Sequence, residues 1–145
     1  MDIKKHIIAL GFVPKNGTNG IYHKIYVDYA IEIDFEKQSI NYGSGIAADS
    51  KTTQNFSDAE NFVVLECVDR LLAKGYKPQN IVLEKTWPSG HGTSGRLDIC
   101  VNRKDGTPYM LIECKTYGKE YNKELAKIRK DGGQLFTYFQ LSGSK

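Results

Sequence analysis

The sequence predicts an α/β protein of the α+β kind, and three observations predict it. Residues 57–74 carry a strong helical apolar period, three strand-like runs follow between Ile81 and Cys114, and residues 119–141 return to helical spacing. Ahead of these, residues 1–56 read as a small accessory helix and antiparallel meander, with the core following over 57–145. At 145 residues and 40% apolar, the chain has enough material for one compact unit but not for two large ones.

In the accessory region, Ile3, Ile7, Ile8 and Leu10 fall at helical spacing and stop at Gly11, a suitable residue just past a helix end. Phe12-Val13, Ile21–Val27 and Tyr29–Phe35 follow as strands, with a Gly/Asn turn at 16–20 and a last strand near Ile40–Tyr42. The tyrosines of this meander read as half-buried packing residues rather than as platforms for bases. Residues 43–56 show no periodicity and read as a connecting loop.

Ser57 followed by Glu60 is a capping-box pattern at the head of the next helix, which should run to about Lys74 and end at Gly75. At about 100° per residue, Val64, Cys67, Val68, Leu71 and Leu72 make its core arc, with Glu60 inside that arc and Glu66 opposite. Ile81–Trp87 is the first core strand, with Trp87 a packing residue. The glycine-rich stretch 88–94, containing His91, reads as a solvated loop.

Leu97–Val101 and Tyr109–Cys114 are apolar and β-branched, and Asp105-Gly106 between them signals a hairpin. A two-residue loop there, with φ > 0 at both positions, sets Lys104 opposite Thr107 and therefore Asp98 opposite Glu113, with Cβ atoms roughly 5 Å apart. Period-2 alternation puts Lys115 on the same face and Cys114 on the other. Opposed like charges destabilise a hairpin unless something positive lies between them. A divalent cation such as Mg²⁺, held by one or two carboxylates, answers that need. A solvated face with a Glu-Lys pair is the plainer alternative.

The last helical stretch aligns Lys119, Lys123, Lys127, Lys130, Gln134 and Tyr138 on one arc and Tyr121, Leu125, Ile128, Leu135, Phe136 and Phe139 on the other. Such a lysine stripe is either a solvated face or a track for DNA phosphates. Gly132-Gly133 marks a kink or a close backbone approach within it.

Charge and cysteine usage narrow the classes. A net charge of +3 and a pI near 8.7 permit nucleic acid without demanding it. Three cysteines without a C-x-x-C spacing argue against a disulfide framework or a zinc site, and fit a reducing cytoplasm. No apolar run is long enough for a bilayer, and the first residues lack the apolar stretch of a signal peptide, so a soluble cytoplasmic protein with no membrane partner is expected.

The Asp98…Glu113-Cys114-Lys115 pattern resembles the PD-(D/E)xK nucleases, with Leu97 in place of the leading proline. The resemblance extends over Asn61–Phe139. It includes Gly75-Tyr76-Lys77-Pro78, the Leu-Glu-Lys-Thr-Trp run at 83–87, Gly95-Arg96-Leu97-Asp98 and the Gly-Gly-Gln-Leu-Phe-Thr-Tyr run at 132–138. This segment is similar to the nuclease domain near the N-terminus of Type I restriction enzyme R subunits. It is more similar still to single-chain proteins that join such a nuclease to a DNA methyltransferase.

The resemblance implies a restriction-endonuclease-like αβββα core with a central mixed sheet and a Mg²⁺-dependent DNA endonuclease, with Mn²⁺ as an alternative ion. It implies Asp98, Glu113 and the Cys114 carbonyl as metal ligands, and Lys115 as the group that orients or deprotonates the attacking water. Gln134 and Tyr138, its Q-x-x-x-Y signature, would position the phosphate or the lysine. Glu60 either completes the metal site through water or caps its own helix. The implied partners are double-stranded DNA and methyltransferase, specificity or translocase domains or subunits. The resembled domains continue into another strand where this sequence stops. The rival readings are a catalytically silent DNA-binding or docking module and a repair or junction-resolving nuclease of the same fold.

Overall fold

The structure, a computed structural model, describes residues 2–87 and 95–116. It is α+β: among the described residues there are two α-helices, α1 (Ile3–Ala9) and α2 (Glu60–Ala73), and two four-stranded sheets. The first sheet runs in the order β1 (Val13–Pro14), β2 (Ile21–Tyr26), β3 (Tyr29–Asp34), β4 (Ser39–Asn41), antiparallel throughout. The second has the order β5 (Ala47–Ala48), β6 (Ile81–Thr86), β7 (Arg96–Asn102), β8 (Pro108–Ile112). It is mixed, because β5 pairs parallel to β6 while the other pairs are antiparallel. The chain divides into two compact units, residues up to 46 with 52–78, and 47–51 with the described residues from 79 onward.

In the first unit the expected helix and meander are present. Asp2 caps α1 by accepting from the Lys5 N–H, and Gly11 closes the helix at φ +102°. Ile7, Ile31, Ile33, Phe62, Val64, Leu65 and Val68 are fully buried, the yield of alternation in β3 and of the apolar arc of α2. Tyr22, Phe35, Phe56 and Phe62 form a chain of edge-to-face rings at 5.2–5.4 Å, so aromatic residues of the meander serve packing. Lys24 and Tyr26 of β2 both donate to Oδ1 of the buried Asp69 of α2, at 2.7 and 2.6 Å. Burial pushes the Tyr26 phenol upward, and the adjacent Asp69 adds to the shift.

Two local expectations are corrected. The capping box at Ser57 does not form, because the Ser57 hydroxyl and N–H both turn to Oδ1 of Asn55. The Asp58 side chain instead accepts from the Glu60 N–H at 2.9 Å, and α2 starts at Glu60. An Asx turn at Asn55 thus outcompetes the serine cap. Residues 43–56 are not merely a loop either, since Ala47 and Ala48 add β5 to the second sheet. Two small residues with no alternation carry no strand signal of their own, and the neighbouring edge of β6 supplies it.

In the second unit Ile81, Leu83, Leu97, Ile99, Cys100 and Val101 are buried, and Trp87 packs against the cluster around Leu97 and Cys100. None of the three cysteines is in a disulfide. No helix among the described residues is long and apolar enough to cross a membrane. The stretch containing His91 and the last expected helix, with Lys119, Lys123, Lys127, Lys130, Gln134 and Tyr138, lie outside the described residues.

Candidate active site at the end of the β7–β8 hairpin

The hairpin reaches the expected register by a different route. Only Gly106 has positive φ, at +87°, and the Arg103 N–H donates to the Thr107 carbonyl at 2.8 Å. The loop is therefore three residues, Lys104 to Gly106, rather than the two-residue turn expected. Asp105 stabilises it, its side chain accepting from the N–H and hydroxyl of Thr107 at 2.9 and 2.6 Å, which holds the carboxyl below its ordinary range. By itself such a loop would slide every pair by one residue and set Asp98 opposite Ile112. A bulge between Val101 and Asn102 takes up the extra residue. Beyond it Val101 pairs with Met110, Cys100 with Leu111 and Ile99 with Ile112, and the next residues in that register are Asp98 and Glu113.

The two acids meet. Glu113 hydrogen-bonds to Asp98 through its side chain, and the Cys114 N–H donates to Asp98 Oδ2 at 2.7 Å. Lys115 Nζ lies 3.8 Å from Glu113 Oε1, and the Glu113 side chain is only 6% exposed. Burial pushes the Asp98 carboxyl above its ordinary range. The Cys114 N–H, Glu113 and Lys115 pull against that shift without reversing it, and the negative charge of Glu84 adds to it.

Glu84 is the residue that sequence reasoning missed. It sits in β6 between Leu83, which pairs with Ile99, and Lys85, which pairs with Leu97, so Asp98 is its opposite number on β7. Three acids on three adjacent strands thus fall in one cross-strand row, Glu84, Asp98 and Glu113. Glu84 is 2% exposed, has φ +50°, and its Oε1 accepts from Arg96 Nη1 at 3.2 Å. The available signal was a glutamate at the apolar-run position that counts to Asp98. Glu60 opens α2 in the first unit, half-buried, and Glu66 pairs with Arg70 at 3.1 Å and with His6 at 3.8 Å.

The donors at Asp98 and Glu113 are hard carboxylate oxygens, which suit Mg²⁺ or Mn²⁺ rather than a soft-ligand metal. Among the described residues, no group of three or more His, Cys, Asp or Glu side chains is arranged to hold a metal ion. The side-chain set offered is thus two carboxylates, the number by which Mg²⁺ is commonly held.

The family model for the Type I restriction enzyme R protein N terminus (HSDR_N) matches residues 59–140, more than half of the chain. The chain belongs to this family. The match begins one residue before α2, includes β6 to β8 with Glu84, Asp98, Glu113 and Lys115, and runs on through Gln134 and Tyr138. Membership places the chain with the N-terminal segment of a restriction enzyme subunit, which points to a restriction-modification nuclease. No curated protein matches the chain.

Proposed function

We propose that this R-protein N-terminal domain is a Mg²⁺-dependent DNA endonuclease of the PD-(D/E)xK type, hydrolysing phosphodiester bonds for a cytoplasmic restriction-modification enzyme. The observation that carries the reading is the convergence of Asp98, Glu113 and Lys115 at the open end of one hairpin, with both acids in a single hydrogen-bonded contact. Two carboxyls in such contact share a proton unless a cation replaces it.

Asp98 and Glu113, with the Cys114 carbonyl, would hold the ion, and Mn²⁺ would substitute for Mg²⁺. When bound, the ion supplies neutralisation of the charge on the phosphate oxygens. The Cys114 N–H fixes the orientation of the Asp98 carboxylate, so little reorganisation is needed when substrate arrives. Lys115, 3.8 Å from Glu113, would orient the attacking water as an ammonium, or take its proton in the neutral amine form. Gln134 and Tyr138 would position the scissile phosphate, and Lys119, Lys123, Lys127 and Lys130 would track the backbone of double-stranded DNA. Methyltransferase, specificity or translocase modules would direct where the domain cuts.

The test is metal-dependent nicking of supercoiled plasmid by the purified chain. Asp98→Ala and Lys115→Ala should each abolish nicking while the far-ultraviolet circular dichroism stays unchanged. Nicking by either variant at the parent rate would refute the assignment, and DNA binding without nicking by the parent chain would favour a silent docking module.

A further inference from the structure

We propose that Glu84 is a positioning residue of the Asp98/Glu113 site: clamped by Arg96 on the strand beside Asp98, its buried carboxylate strengthens the site's hold on a divalent cation. The proposal rests on the reading of Asp98 and Glu113 as the pair that holds the ion. It extends that reading to the third strand.

Three independent features of Glu84 point the same way. It is 2% exposed in a sheet whose other buried positions on β6 are Ile81 and Leu83. A buried carboxylate is costly to retain where an aliphatic residue would pack. Its backbone is left-handed at φ +50° in mid-strand, a conformation that costs a non-glycine residue free energy and clusters at functional sites. Its register neighbour is Asp98, and it forms an ion pair with Arg96, which is half exposed and also reaches Ser50 Oγ at 3.3 Å.

The arrangement sets two opposed influences on the ion. The Glu84 charge draws a cation toward Asp98, while the Arg96 guanidinium offsets part of that charge. Removing one should therefore weaken ion binding and removing the other should tighten it. Shared damage to the sheet would move both variants in the same direction.

The test is Mn²⁺ binding by the DNA-free chain, read as the free-ion electron paramagnetic resonance signal, so that no turnover is involved. Glu84→Gln should weaken Mn²⁺ binding about tenfold, Glu84→Asp should stay within about threefold of the parent, and Arg96→Gln should tighten binding several-fold. If Glu84→Gln fails to fold, Arg96→Gln decides: tightened Mn²⁺ binding supports the role of Glu84, and unchanged or weakened binding overturns it. Parent-like affinity in Glu84→Gln, or equal weakening in Glu84→Gln and Arg96→Gln, overturns the role of Glu84. Asp98→Asn is the control for the underlying reading: if it binds like the parent, or the parent binds no Mn²⁺, the Asp98/Glu113 assignment fails first.

Discussion

The main-chain N–H of Cys114 donates to Oδ2 of Asp98 at 2.7 Å, across the end of the β7–β8 hairpin. That bond ties the backbone of the Glu113-Cys114-Lys115 run to the carboxylate of the neighbouring strand. It holds the acid in place although burial disfavours its charge.

Burial of Asp98 nevertheless makes the site a stability liability, because the Cys114 N–H offsets only part of its cost. The folded chain holds the Asp98 proton more tightly than the unfolded chain, so stability falls as pH rises from the ordinary carboxylate range through the folded value. Asp98→Asn keeps an acceptor for the Cys114 N–H and removes the ionisation. It should be about 1 kcal/mol more stable than the parent near neutral pH and gain nothing at low pH. Guanidinium melts at low and neutral pH check this, and an advantage independent of pH would contradict it.

Asp69 should behave in the opposite sense. It accepts from both Lys24 and Tyr26, so Asp69→Ala leaves the buried Tyr26 phenol without its acceptor and the part-buried Lys24 ammonium with only the Leu10 carbonyl. The expected loss is about 3 kcal/mol, measured by equilibrium unfolding. A loss below about 1 kcal/mol would show that water replaces the carboxylate.

The β2–β3 hairpin carries a strained residue with no packing role. Val27 has φ +38° and is fully exposed at the first loop position, where glycine is favoured in two-residue turns. Val27→Gly should stabilise the chain by about 1 kcal/mol and raise Tm by roughly 2–4 °C in thermal scans.

Gly106 is the reverse case. Its φ of +87° suits glycine and penalises a β-branched residue, and its side-chain position is open space. Gly106→Val should cost about 1–2 kcal/mol through backbone strain alone. Because the bulge at Val101/Asn102 is the second device that sets the register, nicking by the variant should survive wherever it remains folded.

Much of the fold was legible because the apolar periods are clean. The switch from period 3.6 in α2 to period 2 in β7 and β8 marks the elements, and Asp105-Gly106 marks the turn between the last two. The facing of Asp98 and Glu113 was legible for the same reason, since pairing across a hairpin follows from counting once the turn is placed. The three-residue loop and its compensating bulge were not, because a shift of one residue in the loop and one in the strand cancel in the count.

The sequence by itself determined the α+β class, the hairpin, the meeting of two acids with a lysine, and through its motifs the restriction-enzyme family. Only the tertiary structure decided that Glu84 joins them, that Asp58 rather than Ser57 accepts from the first N–H of α2, and that Ala47-Ala48 forms an edge strand. Each of these depends on a neighbour distant in the chain or on competition between nearby polar groups, for which a local pattern holds no information. Burial, strand pairing and hydrogen-bond geometry carry that information instead.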